Sequence, residues 1–230
     1  MPTGPSSGDT EGPADLDRIY GSRFSDDDAA AKDRIWPEIC AFLQRYVESS
    51  QPVLDVAADR GYFIRHIRAS ERWATDLRDI RDALDPDIKF VETNGPTMSE
   101  TLPHGYFGTV FMSNYLEHLP DSSVVVRQLR EALAVTRPGG RVVILQPNIR
   151  LVGASYWDFL DHHTALTEKS LQEAAELAGY ETIEVITRFL PFTTKSRIPQ
   201  APSLVRWYLR LPPVRWLFGK QSLYVGMRPT

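Results

Sequence analysis

Two aspartates that follow apolar runs are the first residues whose type and spacing indicate a binding site. The stretch VLDVAADRGYF, residues 53–63, begins with an apolar run that contains Asp55 and continues into a turn. Asp76 ends the next apolar run, 21 positions after Asp55. A carboxylate that ends a second strand, about 20 residues after such a turn, can accept hydrogen bonds from both hydroxyls of a ribose. We therefore expect a nucleoside site here, with Leu77 packed on the adenine face.

The turn itself departs from a glycine-rich pattern. Ala57 and Asp59 stand where nucleotide-binding turns usually carry glycine, whereas Gly61 is retained. Alanine is tolerated at such a position if its φ angle is not left-handed. Aspartate accepts a positive φ more readily than most residues, but its charge beside an anionic ligand needs a cation such as Arg23 or Arg60. The turn therefore decides whether a nucleotide binds.

A second group of polar residues lies in two later stretches, SNYLEH at 113–118 and SYWDFLDHHTALT at 155–167. Histidine transfers protons at neutral pH, so the first candidate for a general base is His118 and the second is the adjacent histidine pair. The alternative is that these side chains form structural hydrogen bonds in a strand-end turn and in a polar lid. The candidates for proton transfer are Glu117, His118, His162 and His163.

Aromatic and acidic side chains of the same stretches can contact a substrate, because rings cover it and carboxylates accept hydrogen bonds from its hydroxyls. The candidate substrate-binding residues are Tyr115, Tyr156, Trp157, Asp158 and Asp161. The adjacent histidines beside two acids can bind a cation, but the sequence has no set of ligands with the spacing of a metal site. We therefore expect no metal.

Seven apolar runs separated by helical patterns must position these residues. The runs lie at 53–57, 73–77, 88–92, 106–113, 140–147, 181–187 and 222–227. Helical patterns begin at Asp28, at Asp121 or Ser122, and at Thr167, and the last one ends at Gly179. This alternation predicts an α/β fold with a Rossmann-like, mostly parallel sheet and helices on both faces. In such sheets ligands bind beyond the carboxyl ends of the strands.

The composition indicates one domain. The chain has 230 residues, of which 42% are hydrophobic and 24% charged. Residues 1–25 are rich in Gly, Pro, Ser and Asp, and we expect them to form a flexible arm. Residues 26–230 then form the domain, with insertions at 148–166 and 188–220 that do not fit the alternation.

The charge and cysteine content exclude several classes of partner. A net charge of −4 gives no general attraction to nucleic acid, and no apolar run approaches the length of about 20 residues needed to span a bilayer. A single cysteine, Cys40, cannot form an internal disulfide, and no secretory signal is evident at the N-terminus. We therefore expect a cytoplasmic protein.

The charges are unevenly distributed, and this bears on residues 201–220. After Glu184 the sequence contains eight bases and no acid. Residues 201–220 alternate tryptophans and other apolar residues with arginines. The simplest interpretation is that the aromatic residues pack on the sheet edge or across a homodimer. The alternative is peripheral contact with a membrane surface, where aromatic and basic residues are favoured.

Two ordered stretches, YFGTVFMSNYLEHLPD at 106–121 and TRPGGRVVILQPN at 136–148, carry a family resemblance. With the first turn and Asp76, they resemble the class I S-adenosylmethionine-dependent methyltransferases, over about residues 37–187. The resemblance implies a seven-stranded sheet with an antiparallel last strand and S-adenosylmethionine as cofactor. The cofactor-binding residues that it implies are Asp55, Ala57, Gly61, Asp76, Leu77, Asn94, Ser113 and Asn114.

The late region is similar to bacterial methyltransferases of saccharide and secondary metabolism. This likeness predicts a small-molecule acceptor, methylated on oxygen, that is a sugar or a secondary metabolite. Two departures from the family pattern are the altered first turn and Gly108, where an aspartate is usual. They keep a second hypothesis open, in which a methyltransferase-like fold serves as a non-methylating enzyme or as a binding protein.

Overall fold

Seven strands form one sheet, and each strand coincides with one of the predicted apolar runs. The structure is a computed structural model that describes residues 26–192 and 201–230, with side chains from residue 29 onward. The arm expected at residues 1–25, which includes Arg23, lies outside the described residues. The strands are β1 (Val53–Val56), β2 (Arg72–Asp76), β3 (Lys89–Glu92), β4 (Phe107–Ser113), β5 (Thr136–Pro147), β6 (Glu181–Ile186) and β7 (Gln221–Met227).

The strand order brings the carboxyl ends of β1, β2 and β4 side by side. The order is β3-β2-β1-β4-β5-β7-β6. Strands β1 to β5 pair in parallel, whereas β7 is antiparallel to both of its neighbours. The predicted Rossmann-like sheet, mostly parallel with an antiparallel last strand, is confirmed. Asp76, Ser113 and the turn after Val56 therefore meet at one edge of the sheet.

Three helices begin at residues whose side chains accept from their first backbone N–H groups. The helices of the described residues are α1 (Asp26–Leu43), α2 (Ser122–Val135), α3 (Ile149–Val152), α4 (Glu168–Ala178), α5 (Pro202–Arg210) and α6 (Pro212–Phe218). Asp121 caps α2 by accepting from the backbone N–H groups of Ser123 and Val124, and Thr167 caps α4. Gly179, with φ of 110°, ends α4 in the left-handed conformation that glycine permits.

The first four strands are connected without α-helices in the described residues, which the alternating pattern did not predict. Residues 57–71 fold into successive turns, and the next two connections carry the short 3₁₀ helices Arg81–Ala83 and Gly95–Glu100. Strand β5 also begins earlier than the run at 140–147, because Thr136 pairs with Phe107 before the register shifts.

Two hydrophobic cores lie on opposite faces of the sheet. Ile39 of α1 and Leu209 of α5 share one core with Phe111 of β4. Leu129 of α2 and Leu171 of α4 belong to the other core, which includes Val110 of β4. The neighbouring β4 residues alternate between the two cores because successive strand side chains point to opposite faces. In the part of the chain that the structure describes, no helix is long and apolar enough to cross a membrane.

Candidate active site

The turn after β1 contains three residues in the left-handed region at alternate positions. Ala57 has φ of 54°, Asp59 has φ of 51° and Gly61 has φ of 67°. The condition under which alanine is tolerated without strain, a φ angle outside the left-handed region, is therefore not met. A non-glycine residue in this region costs about 1–2 kcal/mol. The turn thus keeps the backbone shape of a glycine-rich loop although two glycines are missing.

Gly61 is retained for a second reason, which is space. A Cβ at this position would lie 2.6 Å from Cδ2 of Leu84. The backbone N–H of Gly61 donates to the carbonyl of Ala58 at 2.8 Å and closes the turn. The backbone N–H of Ala58 in turn donates to the carbonyl of Thr75 at 2.9 Å, which joins the turn to β2.

Arg78 neutralises the carboxylate of Asp59 that the sequence left unexplained. Its Nη2 donates to Oδ1 of Asp59 at 2.9 Å, and its Nε donates to Oδ1 of Asp76 at 3.2 Å. The sequence had indicated Arg23 or Arg60 for this role. Arg60 is exposed, and Arg23 lies outside the described residues. One guanidinium therefore lies between the turn and the acid that ends β2.

Asp76 is buried, with 7% of its surface exposed, and accepts three hydrogen bonds from protein. Its Oδ2 accepts from the backbone N–H of Asp59 at 3.0 Å. Its Oδ1 accepts from the backbone N–H and the Nε of Arg78. A carboxylate has about four lone-pair sites, so room remains for a hydroxyl of a ligand.

Asp55 lies deeper in the same region, at the end of β1, and is 4% exposed. Burial raises the pKa of its carboxyl well above the ordinary value, and the charges of Asp76 and Asp59 act in the same direction. The backbone N–H of Ile64 donates to this carboxyl and opposes the rise in pKa only in part. Asp55 is therefore biased toward the neutral acid, which can donate a hydrogen bond.

The residue after β4 is also left-handed. Asn114 has φ of 49°, and its backbone N–H donates to the carbonyl of Leu145 at 2.8 Å. Its side-chain Nδ2 donates to Oγ of Ser113 at 3.2 Å. Leu77 and Asn94 are both exposed at the ends of β2 and β3. The side chains of the four residues at the carboxyl ends of β2, β3 and β4 therefore lie at one edge of the sheet; they are Leu77, Asn94, Ser113 and Asn114.

His118, which follows β4, pairs with Asp161. Nδ1 of His118 lies 2.9 Å from the backbone oxygen of Asp161 and 3.2 Å from its Oδ2. Both oxygens are acceptors, so Nδ1 carries the hydrogen and Nε2 of the neutral ring holds the free lone pair. Burial lowers the pKa of His118, but the hydrogen bond to Asp161 and the charge of Glu117 outweigh it and raise the pKa above its ordinary value.

Aromatic rings surround this pair. The ring of His162 lies 5.1 Å from that of His118, stacks on Phe159 at 4.9 Å and lies 4.7 Å from Tyr156, measured between centroids. Tyr156 is fully buried, and its hydroxyl donates to the carbonyl of Thr164 at 2.6 Å. The segment is thus fixed by packing and by hydrogen bonds.

Glu117 is a second buried acid of this region beside Asp161, with 2% of its surface exposed. Burial raises the pKa of its carboxyl to about 7, and its Oε2 has no hydrogen-bond partner among the described residues. Glu117, His118 and His162 each offer an atom that can ligate a metal, and these atoms lie within 4.8 Å of one another. The same atoms can accept, donate or hold a proton.

The comparison with protein families decides between the classes of protein that such a site can serve. The family described as a methyltransferase domain matches residues 30–185, which is more than half of the chain. The chain belongs to this methyltransferase family. The class I S-adenosylmethionine-dependent methyltransferase indicated by the sequence is confirmed, and its cofactor is S-adenosylmethionine. No curated protein matches the sequence at a significant level.

Solved structures share the fold of this methyltransferase. A methyltransferase of Haloferax volcanii, solved with the Trm112 methyltransferase activator, has a TM-score of 0.70 and 19% identity, over 94% of this chain and 97% of that one. A SAM-dependent methyltransferase of Thermotoga maritima has a TM-score of 0.68 and 12% identity, over 93% and 97%. The 4+2 cyclase SpnF has a TM-score of 0.59 and 16% identity, over 84% and 81%. Identities this low show the fold alone.

The residues at the carboxyl edge of the methyltransferase sheet fit the cofactor. Asp76 retains lone pairs for a ribose hydroxyl, and the backbone of the first turn has the left-handed shape that allows a close approach to a ligand. Leu77 and Asn94 are exposed at the neighbouring strand ends, where an adenine would be contacted. The departures at Ala57 and Asp59 change side chains in the turn but leave its backbone shape.

Several residues that were predicted to contact the acceptor or to transfer its proton do not lie with the buried group of His118, Asp161 and His162. The side chains of Trp157, Asp158 and His163 are exposed, and His163 contributes its backbone N–H, which donates to the carbonyl of Glu117 at 2.8 Å. The hydroxyl of Tyr115 donates to Oε1 of Gln128 at 3.0 Å and lies against Gly95 at the end of β3. Tyr115 is thus held on the side of the sheet edge where β3 ends.

The sequence analysis missed two residues that organise the site. Arg78 had a detectable signal, because an arginine two positions after a strand-ending acid can fold back on that acid. Gln128 had none, because its position in an amphipathic helix looks like any polar residue. It is fully buried and fixes Tyr115.

Proposed function

We propose that this methyltransferase acts on a hydroxyl oxygen of a small-molecule acceptor, a sugar or another polyol of secondary metabolism. The observation that carries the proposal is the His118–Asp161 pair, whose hydrogen bonding leaves Nε2 of His118 as the basic nitrogen. A hydroxyl is a poor nucleophile unless a base removes its proton as the new bond forms. A positioned base is therefore the group that an oxygen acceptor requires.

The cofactor side of the site is assigned to the edge formed by β1, β2 and β3. Asp76 accepts hydrogen bonds from the ribose, Leu77 and Asn94 contact the adenine, and the turn at residues 57–61 meets the methionyl part. Ser113 and Asn114 lie beneath that part. When bound, S-adenosylmethionine supplies an electrophilic methyl group on its sulfonium, so the protein's task is to position the acceptor and remove a proton.

His118 performs the proton transfer in this proposal. Its Nε2 takes the proton of the acceptor hydroxyl, and the electron pair of that O–H bond stays on the oxygen that forms the new bond. Asp161 accepts the hydrogen of Nδ1, which keeps the ring in the required tautomer and stabilises the imidazolium that forms. The raised pKa of His118 makes it a stronger base than an ordinary histidine.

The acceptor lies against the aromatic wall next to His118. Tyr156, Phe159 and His162 form its inner part through their ring contacts. Trp157 is 55% exposed and is available to stack on the apolar face of a sugar at the rim. Glu117 is buried beside His118, and its charge raises the pKa of that histidine.

Cofactor binding is tested by isothermal titration calorimetry with S-adenosylmethionine. We expect micromolar affinity that is lost in Asp76→Ala, because the buried ribose partner is removed. Asp79→Ala is the matched control, since Asp79 is an exposed acid in the same loop and pairs with Arg81. No binding by the well-folded wild type, or unchanged binding by Asp76→Ala, contradicts the assignment.

Methyl transfer is tested with methyl-labelled S-adenosylmethionine and a panel of sugars, nucleotide sugars and phenols. His118→Ala should lower turnover by about 100-fold at unchanged cofactor affinity. His163→Ala, whose side chain is exposed beside the same cluster, should leave turnover nearly unchanged. Each reaction is repeated with EDTA, and loss of turnover on chelation would assign Glu117, His118 and His162 to a metal instead of to proton transfer.

A second function is favoured by one observation, the strained turn. Ala57 and Asp59 adopt left-handed backbone conformations where glycine would cost least, and the SpnF cyclase has the same fold. The fold can therefore serve a non-methylating enzyme or a binding protein. Tight cofactor binding without label transfer to any acceptor of the panel would favour this alternative.

A further inference from the structure

Helices α5 and α6 carry a group of exposed apolar side chains, which we call the α5–α6 patch. Leu204, Trp207 and Leu211 follow one another at helical spacing on one face, and they are 46%, 61% and 42% exposed. In α6 the exposed residues are Trp216 (69%), Leu217 (62%) and Phe218 (43%). Single exposed apolar residues are ordinary, but six of them within residues 204–218, two being tryptophans, indicate an interaction surface.

The opposite face of α5 is fixed to the protein, so the patch has a defined orientation. Leu209 is 4% exposed and belongs to the core that contains α1. The hydroxyl of Tyr208 donates to the carbonyl of Phe189 at 2.8 Å. Arg206 forms an ion pair with Glu38 of α1. The aromatic residues of this segment therefore do not all pack on the sheet edge, which was one of the two alternatives in the simplest expectation from the sequence; the other was packing across a homodimer.

The charge around the patch is mainly positive, with Glu38 of α1 as a nearby acid. Residues 201–220 contain four bases and no acid, and no acid follows Glu184 in the sequence. Arg206 is matched by Glu38, but Arg210 and Lys220 are exposed at the ends of the two helices. Arg188 lies with its guanidinium 5.6 Å from the ring centroid of Trp216 and adds positive charge beside that ring.

We propose that the α5–α6 patch docks on an anionic membrane surface. Tryptophan rings enter the interfacial zone of a bilayer, and neighbouring bases are attracted to anionic headgroups by about 1 kcal/mol each. A protein partner or a second copy of this chain would bury the same apolar residues, but neither requires the excess of bases over acids that surrounds them. The charge complementarity therefore favours the lipid surface as the occupant.

Docking by this surface leaves the opposite face of the sheet, with α2 and α4, toward solvent. The insertion that carries the patch also reaches the acceptor wall, because the ring of Phe192 lies 5.7 Å from that of Phe159 in an edge-on contact. The surface proposal does not depend on the proposed function, since vesicle binding is measured without methyl transfer.

The proposal is tested by co-sedimentation of the full chain with vesicles of phosphatidylcholine, alone or mixed with phosphatidylglycerol. We expect binding to the mixed vesicles, a blue shift of tryptophan fluorescence on binding, and weakening by salt. Trp207→Ser with Trp216→Ser should reduce binding by about tenfold or more. Leu177→Ser is the matched control, because Leu177 is 63% exposed on α4 and should leave binding unchanged.

A second pair of variants tests the charge without touching the apolar residues. Arg210→Glu with Lys220→Glu should abolish the preference for phosphatidylglycerol, whereas Lys169→Glu on α4 should not. Three results overturn the proposal. They are no vesicle binding by the folded chain, equal binding to neutral and anionic vesicles, and a dimer in size-exclusion chromatography that the tryptophan pair of substitutions dissociates.

Discussion

Arg78 forms an ion pair with Asp59 of the turn at residues 57–61, with Nη2 of the arginine 2.9 Å from Oδ1 of the aspartate. The side chain of Arg78 is 15% exposed and that of Asp59 is 37% exposed, so the pair is partly shielded from water. A carboxylate at a glycine position would otherwise repel the carboxylate of the methionyl group. In the proposed cofactor site, the pair therefore explains how the turn at residues 57–61 accommodates an aspartate.

Removal of Arg78 should weaken cofactor binding. In Arg78→Ala the charge of Asp59 is no longer neutralised and Asp76 loses a charge-assisted hydrogen bond, so we expect affinity for S-adenosylmethionine to fall by about tenfold or more. Calorimetry measures the change. Adding Asp59→Gly to Arg78→Ala should restore part of the affinity, because the unpaired charge is gone. Arg81→Ala, at an exposed arginine paired with Asp79, serves as control. Equal affinities of all these variants would contradict the proposed role of the pair.

The strain at Ala57 gives a prediction about stability. Ala57→Gly removes a left-handed alanine, which costs about 1–2 kcal/mol, at an entropic cost of about 0.4–1 kcal/mol in the unfolded chain. We expect the free energy of unfolding to rise by about 0.5–1 kcal/mol, measured by urea denaturation. Ala58→Gly is the matched control, because Ala58 has no positive φ and should lose stability. A loss of stability in both variants would show that Ala57 is not strained.

The His118–Asp161 pair gives a prediction about pH dependence. His118 accepts a proton only when Nε2 is unprotonated, so kcat/KM should rise with pH as the ring, whose pKa is raised, loses its proton. Asp161→Asn removes the carboxylate charge that raises this pKa and leaves the backbone oxygen of residue 161 to accept from Nδ1. The rising limb should therefore move to lower pH, and the plateau should fall because no carboxylate stabilises the imidazolium that forms. Asp158→Asn, at an exposed acid of the same segment, should change neither feature. An unshifted limb in Asp161→Asn would remove His118 as the titrating base.

The strands were predictable from the sequence because their apolar runs are short and bounded by turn residues. The run at 53–57 contains β1, whose residues are all buried. Asp76 ends β2, as its spacing from Asp55 predicted. The connections were harder. Residues 57–71 fold into turns held by hydrogen bonds to β2, such as that from Ala58 to Thr75, and such long-range bonds leave no periodic signal in the sequence.

The site could be predicted only in part, for the same physical reason. The types of Asp76 and His118 indicate their chemistry; Asp76 ends β2, and His118 ends the 3₁₀ helix that follows β4. Which histidine of the adjacent pair turns inward depends on packing, because a rotation of about 100° per residue separates neighbouring side chains even in a regular turn. His162 is buried against Phe159, whereas His163 faces solvent.

Glu117 connects the site to the stability of the fold. Burial raises the pKa of its carboxyl from the ordinary value of 4.5 to about 7, so the folded protein keeps a proton that the unfolded chain releases at lower pH. Because the folded state binds this proton more tightly than the unfolded state, its contribution to the free energy of unfolding is fully present below about pH 4.5 and is lost as the pH rises to about 7.

Glu117→Gln keeps the shape of the side chain and removes its titration. The free energy of unfolding of this variant relative to wild type should therefore increase by up to about 3 kcal/mol between about pH 5 and pH 8. Urea denaturation at both pH values measures the difference, and Glu100→Gln, at an exposed acid, is the control. A Glu117→Gln variant with the same pH dependence as wild type would mean that Glu117 is charged in the folded protein, and that the histidines beside it are protonated to balance it.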